Sequence, residues 1–406
     1  MTPKDKTFTL IGIDGGATKV NGWQVDHSPE DHSYSLAEQQ AGFAYADLPD
    51  HIADYEPVSI QTQLSERESG QYNLTEREKI QGDVYIKTAA RTIEKLAHEG
   101  GDKPVLIGLG MPGLKTVNLR GINAIANGPR MIDYCDKLEA LLKQAGVRLV
   151  APIARMGSDA DYCGVGEYYA AEGSLKGAQH VYYLGGGTGA ADALLLNGAL
   201  VPFDHIKPWM AKTWEMKNDL DLSLERYASA SGLQFIYARH ACIPVETLNK
   251  KKVYPPQIAG LAVKGDAAAV KTYREVANYL SRLIFERIST LYCGSQEIFN
   301  FINPNRPVLE KTHPYLGLVY DRIVIGQRLA DLMASPDGQQ VLTRPLLENI
   351  STLVGTADCL PDTIKETYLS GTDFRTDKLV FSKLREAPAL GAGIDAHLVY
   401  SGATDK

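Results

Sequence analysis

The sequence predicts an α/β chain in which one small architecture occurs twice, and three observations carry that prediction. Ile11-Gly12-Ile13-Asp14 is a short apolar strand that runs into Gly15-Gly16-Ala17-Thr18-Lys19, with a second β-prone run from Val20 to Val25. Val181-Tyr182-Tyr183-Leu184 runs likewise into Gly185-Gly186-Gly187-Thr188-Gly189, followed by Ala190 to Leu196 and a turn at Asn197-Gly198. Around these hairpins, strand-patterned and helix-patterned runs alternate, as they do in α/β lobes. A chain of 406 residues is also long enough to bury two cores.

The elements follow in order. Phe8 to Val25 reads as a β-hairpin. His27 to Gln81 is polar and acidic, with Tyr45, Tyr55 and Tyr72 but no clear period. Gly82 to His98 reads as a helix, with Ile86, Ala89, Ala90, Ile93 and Leu96 on one face. Pro104 to Leu109 is a buried strand, Met131 to Ala145 a second helix, and Val147 to Ile153 a β-prone run. Tyr162 to Glu172 reads as a helix with small residues at Gly164, Gly166, Ala170 and Ala171. Val270 to Phe301 gives one or two long amphipathic helices. Arg322 to Ile325 is a short strand and Ala389 to Val399 a closing helix.

The glycine turns suggest chemistry. Glycine lets the backbone take positive φ and approach a ligand closely. Three consecutive glycines form strands poorly, so Gly185 to Gly187 point to close approach of something else. The first turn suits a nucleotide's terminal phosphates, with Asp14 near a hydrated Mg²⁺; the bland alternative is a plain hairpin turn. Two such turns suggest phosphate gripped from both sides. Ala154 to Asp161 lies between them and leads into the Tyr162 helix, placing Ser158 or Asp159 near its N-terminus. For Asp161 an N-cap role is the preferred reading. Asp159 stands apart because of its place between the two phosphate turns.

Composition excludes other tasks. Net charge is −7 without a basic patch or tail, which argues against nucleic-acid binding. Met1 to Lys6 has no apolar core, so no signal peptide is visible, and no apolar run reaches membrane-spanning length. The five cysteines (Cys135, Cys163, Cys242, Cys293 and Cys359) form no C-x-x-C pair and no metal-ligand cluster. They read as reduced thiols in a cytoplasmic protein.

The ordered motifs resemble the ROK sugar kinases of the actin-like, RNase H-like ATPase superfamily. The first hairpin resembles their D-x-G-x-T-K turn, and Gly108-Leu109-Gly110-Met111-Pro112-Gly113 their G-x-G-x-P-G. Ser158-Asp159-Ala160-Asp161 through Gly166-Glu167 resembles N-D-A-N-x-x-x-x-G-E. Leu184 to Leu200 resembles the G-T-G hairpin, and Ser223 to Ser229 the C-L-E-x-x-A-S segment. Ile323 to Gly326 resembles the strand at the adenosine side, and Ala389-Leu390-Gly391-Ala392 the closing helix.

The resemblance implies an α/β, two-lobed actin-like (RNase H-like) ATPase fold with a central cleft. One lobe would comprise 1–157 plus 388–406 and the other 158–387. It implies ATP and Mg²⁺ as cofactors, a small-molecule sugar as substrate, and a homodimer. Asp159 would be the general base. Asp14, Gly15, Gly16, Thr18, Lys19, Gly186, Gly187, Thr188, Gly189 and Gly326 would hold the nucleotide, Asp14 reaching Mg²⁺ directly or through water. Asn127, Ser158, Glu215, Glu225 and His205 would face the sugar. Asn127 reads equally as a turn residue before Gly-Pro, Glu225 also as a solvated helix charge, and His205 also as a surface loop residue.

Two departures matter. The family's zinc loop, C-x-C-G-x-x-G-C, corresponds here to a shorter Lys217 to Leu224 stretch without cysteine, so no zinc site is expected. The E-x-G-H segment is not recognisable, which implies a reshaped acceptor pocket near Trp209 and Trp214. A non-catalytic sugar-sensing relative, or pseudokinase, is the alternative reading. An iron–sulfur dehydratase activator ranks last for want of a cysteine pair.

Overall fold

The computed structural model describes residues 8–101 and 103–403. The Met1 to Lys6 stretch lies outside them. The chain divides into two units, one formed by 1–172 with 386–406 and the other by 173–385.

The first unit is built on a five-stranded sheet. Its strands are β1 (Thr9–Gly15), β2 (Lys19–Ser28), β3 (Ser33–Ala44), β4 (Val105–Gly110) and β5 (Met156–Gly157), in the order β3-β2-β1-β4-β5. The first three pair antiparallel, and β4 and β5 then run parallel to β1. The second unit repeats this plan with β6 (Val181–Gly186), β7 (Ala190–Leu196), β8 (Ala199–Leu200), β9 (Arg322–Gly326) and β10 (Leu379–Phe381), in the order β8-β7-β6-β9-β10. Here too a meander is followed by two parallel strands. The duplication read from two glycine hairpins is therefore a duplication of whole sheets.

The first unit's helices are α1 (Ile60–Ser69), α2 (Glu76–Glu99), α3 (Tyr134–Gln144) and α4 (Asp159–Tyr169), with the closing helix given below. Helix α2 starts six residues before the expected Gly82. Thr75 caps it by accepting the Glu78 N–H at 3.1 Å. Its first turns look like loop because Glu78 and Gln81 are polar, yet both are buried: Glu78 pairs with Arg130, and Gln81 accepts the Ile52 N–H at 2.9 Å. The region 27–81, read as shapeless, thus supplies β3, α1 and the start of α2. The β-prone Val147 to Ile153 run is not a strand; it pairs with β4 at the Val105–Leu149 bridge.

In the second unit, α5 (Ala230–Ala241) precedes α6 (Ala267–Cys293), a single 27-residue helix where one or two were expected. Asp266 caps α6 by accepting the Ala269 N–H at 2.8 Å. Helix α6 is buried along Val276, Leu280, Leu283, Ile284 and Ile288 in the second core.

The closing helix, α7 (Ala387–Ser401), returns to the first unit. A Cβ on Gly12 or Gly108 would lie 1.9 or 1.8 Å from the α7 carbonyl oxygens of Ala389 and Ala392, so glycine lets the helix lie directly on β1 and β4. A Cβ on Gly391 would come 1.9 Å from Tyr162 O, and one on Gly166 2.5 Å from Ala387 O. Helices α4 and α7 therefore pack backbone to backbone. That contact corrects the expected boundary at 157/158: α4 belongs to the first unit, and the division falls after 172. Among the described residues, no helix is long and apolar enough to cross a membrane.

Candidate active site

The parallel register places two carboxylates together in the first unit. Asp14 pairs with Gly110 on β4, and Gly110 with Gly157 on β5. Asp159 follows two residues later, at the first position of α4. Both aspartates therefore stand at carboxyl ends of parallel strands, where α/β sheets present their ligand sites. Burial first, then the carboxylates of Asp159 and Glu386, push Asp14 up to about 7, against the pull of Lys19. Burial also raises Asp159, opposed by the Ala160 N–H, which donates at 3.0 Å, and by the positive charge of Lys115. A carboxylate of raised basicity suits a proton acceptor.

Ser158 is the N-cap of α4. It accepts the Asp161 N–H at 3.1 Å, and its hydroxyl donates to Asp161 Oδ2 at 2.7 Å. The cap role expected for Asp161 is thus taken by Ser158, with Asp161 as its partner; this hydroxyl is engaged within the helix end.

The first glycine turn is held from behind. Tyr45 Oη donates to Gly16 O at 2.8 Å, and Tyr85 Oη to Ala17 O at 3.1 Å. The Tyr45 N–H donates to Thr18 O at 3.0 Å. The two tyrosine rings stack with centroids 3.6 Å apart. All three carbonyls are tied back, while the amides of Ala17 and Thr18, both exposed residues, find no acceptor among the described residues. Thr18 and Lys19 are exposed, and Gly15 sits against Met111, whose Sδ a Cβ would meet at 2.1 Å.

The second glycine turn is treated alike by different means. The Ala230 N–H donates to Gly187 O at 3.0 Å, the Gly187 N–H to Gly189 O at 2.9 Å, and the Ser231 hydroxyl to Thr188 O at 2.7 Å. The amides of Thr188 and Gly189 find no acceptor among the described residues. Residues 230 and 231 open helix α5, so this turn lies at a helix N-terminus, whose partial positive charge favours anions. Glu225 accepts the Ala190 N–H at 3.1 Å, placing it against this turn.

Gly326 ends β9 beside Gly185, and a Cβ there would meet Tyr183 Oη at 2.2 Å. Next to it Gln327 takes φ of 59°, the left-handed region that costs a residue with a Cβ about 1–2 kcal/mol. Its Oε1 lies 3.0 Å from where a Gly187 Cβ would stand.

The other expected residues sort less neatly. Asn127 is exposed on the Ala126–Pro129 turn of the first unit. Glu215 accepts the Lys212 N–H at 2.8 Å and lies 3.7 Å from Arg306, which ties it to its own turn. His205 is exposed on the short helix Phe203–Ile206. Trp214 is exposed, whereas Trp209 is buried and stacks on His313 at 4.0 Å. In the stretch that corresponds to the family's zinc loop, Asn218 Oδ1 accepts the Leu220 and Leu222 N–H groups and its amide donates to Tyr227 at 2.7 Å.

Sequence reasoning missed Lys115, Tyr45, Tyr85 and Ser231. Lys115 Nζ donates to Met111 O at 2.6 Å and Gly113 O at 2.8 Å, anchoring the Pro-Gly turn beside Asp159. Its one sequence signal is a lysine two residues after the G-x-G-x-P-G match.

No family model and no curated sequence matches the chain. Solved structures do. A ROK family glucokinase from Streptomyces griseus in complex with glucose and AMPPNP is similar at TM-score 0.57 and 16% identity, over 96% of this chain and 99% of that one. A ROK hexokinase from Thermus thermophilus is similar at TM-score 0.53 and 17% identity, over 97% and 100%. A ROK family transcriptional regulator, a homolog of the E. coli MLC protein, is similar at TM-score 0.54 and 13% identity, over 98% and 80%. The chain thus has the α/β fold of the ROK sugar kinases, a fold that a regulator also wears.

Proposed function

We propose that the protein is an ATP-dependent sugar kinase, with Asp159 as general base. The observation that carries this reading is the pairing, in the first unit, of a buried aspartate of raised basicity with a glycine turn whose amides have no acceptor among the described residues. The second unit supports it with its own acceptor-free amides at a helix N-terminus. Phosphoryl transfer needs positioned donors and charge neutralisation more than covalent chemistry. The acceptor hydroxyl oxygen attacks the γ-phosphorus of ATP as Asp159 takes its proton. The bond from phosphorus to the β–γ bridging oxygen breaks, and ADP leaves.

The residues fit a divalent cation. Burial first, then the carboxylates of Asp159 and Glu386, hold Asp14 at about 7, so a cation beside it would favour its charged form. Asp14 would hold Mg²⁺, directly or through water, and the ion would supply neutralisation of phosphate charge. Asn127 is the residue of the acceptor side that stands exposed in the first unit; Glu225 belongs to the second turn. The cytoplasm is the compartment that fits an ATP-dependent kinase.

An ADP-release assay with ATP and Mg²⁺ over hexoses, N-acetylhexosamines and ketoses tests the reading. Sugar-dependent turnover that collapses in Asp159→Asn is expected. Absence of turnover on every acceptor, with sugar still bound, would transfer the fold to the sensing reading. The engagement of Ser158 and Glu215 in local hydrogen bonds is the observation that favours that second reading.

A further inference from the structure

We infer that the segment preceding α2 is an acceptor-side specificity element, in which Gln63 positions the turn that presents Asn127. The inference rests on the kinase reading above and assigns a role to a region whose sequence shows no pattern.

Gln63 is a glutamine on a largely polar helix, yet its exposure is 0%. A buried amide with four hydrogen-bonding positions is costly unless they are used. Here three of them are used, all on backbone. Gln63 Oε1 accepts the Ile125 N–H at 2.8 Å, and Nε2 donates to Ile125 O at 3.1 Å and to Val58 O at 2.7 Å. The side chain thus stands where a neighbouring strand's peptide group would stand, and it fixes the entry to the Ala126–Pro129 turn.

The exit is fixed from the same segment. Arg130, fully buried, donates to Glu66 on α1 and to Glu78 on α2, with Nε to Glu78 Oε1 at 2.8 Å and Nη2 to Oε2 at 2.9 Å. Glu66 is further fixed by the Asn73 N–H at 3.0 Å. Between these anchors only Ala126 and Asn127 are exposed, and Gly128 packs under Tyr85, whose hydroxyl a Cβ would meet at 3.3 Å. Tyr85 is the residue that holds Ala17 O on the first glycine turn. One frame therefore holds the phosphate turn and presents the asparagine beside it. A buried arginine with two carboxylates and an amide on both backbone groups of one residue is more restraint than a surface turn needs. A turn that must hold an acceptor in one pose does need it, since small displacements of positioning groups reduce productive binding strongly.

The test compares the wild-type protein with Gln63→Met, which keeps volume and removes every donor and acceptor. Acceptor KM should rise about tenfold, while kcat and ATP KM stay within twofold. Glu66→Gln loosens the same turn at its other end and should move acceptor KM in the same direction, which keeps the test open if Gln63→Met does not fold. Unchanged acceptor KM in folded variants overturns the inference and leaves the kinase reading standing, as does an equal rise in acceptor and ATP KM. A wild-type protein with no sugar-dependent turnover and no sugar binding overturns both.

Discussion

The two glycine turns solve one problem in different surroundings. Each has its three carbonyls tied back and two amides without an acceptor among the described residues. The first is held by hydroxyls of Tyr45 and Tyr85, far away in sequence, and lies beside Asp14 and Asp159. The second is held by the opening residues of α5 and shares that helix's positive end. An acidic turn suits phosphate only with a cation, whereas a turn at a helix N-terminus suits phosphate by itself. On the proposed kinase reading, the difference would give metal and proton chemistry to the first unit and anion binding to the second, a division that repeated topology alone does not reveal.

The sharpest break of that division is Asp159→Asn. Loss of a general base lowers turnover by about 10²–10⁴-fold, and nucleotide affinity should stay within twofold because the base sits with the acceptor chemistry. Equilibrium binding of an ATP analogue beside single-turnover rates separates the two. If affinity fell along with turnover, Asp159 would belong to nucleotide binding instead.

Alanine at the turn glycines separates folding from binding. A Cβ on Gly186 would lie 2.2 Å from Ala228 O and 2.5 Å from Leu329 Cβ, whereas one on Gly16 meets nothing nearer than Lys19 O at 3.6 Å. Gly186→Ala should therefore lower stability by about 1–3 kcal/mol, as overpacked sites do, and Gly16→Ala should fold normally. Denaturation midpoints of the two variants decide the matter; equal midpoints would mean that the second turn can shift to admit a side chain.

Asp14 gives the acidic turn a pH signature. Its folded-state value of about 7 lies above the ordinary 3.8, so its contribution to stability is complete below about pH 4 and is lost as pH rises through 7. Asp14→Asn removes the loss. The variant should match wild type below about pH 4, begin to exceed it by pH 5 and exceed it fully at pH 8, on the order of 2 kcal/mol after solvent screening. Mg²⁺ should stabilise wild type more at pH 8 than at pH 5 and leave the variant unmoved. A pH-independent gap between the proteins, measured by denaturant titration, would remove Asp14 as the source.

Much of this was legible in the sequence, and the reasons are local. A strand followed by glycines is a contiguous signal, so β1, β6 and both turns could be read, as could Asp14 at a strand end and Asp159 near a helix N-terminus. The frame behind the turns was not. Tyr45 and Tyr85 act through hydroxyls on carbonyls 29 and 68 residues away, and no periodicity encodes such a contact. Residues 76–81 looked like loop because hydrophobic periodicity treats Glu78 and Gln81 as solvent-facing, whereas burial with a partner reverses that reading. Lys115 was overlooked because one lysine after a turn has no pattern. The boundary at 157/158 was misplaced because backbone-to-backbone packing of α4 on α7 depends on Gly166 and Gly391 being read together.

The smallest expected effect tests whether the tied-back carbonyls matter at all. Tyr85→Phe removes one hydrogen bond from the first turn and keeps the ring stacked on Tyr45; Ser231→Ala removes one from the second. Each bond is worth about 0.5–1.5 kcal/mol, so each variant should weaken nucleotide binding by a few-fold at most. The two should differ in their response to Mg²⁺. The Tyr85→Phe defect should shrink as Mg²⁺ rises, because the cation shares the work of ordering phosphate at the acidic turn. The Ser231→Ala defect should stay constant, because helix α5 and the remaining amides bind anion without it. Titrating an ATP analogue at two Mg²⁺ concentrations resolves the pair. Identical Mg²⁺ responses would show that the two turns share one electrostatic role, and the contrast between a turn beside two aspartates and a turn at a helix N-terminus would fall.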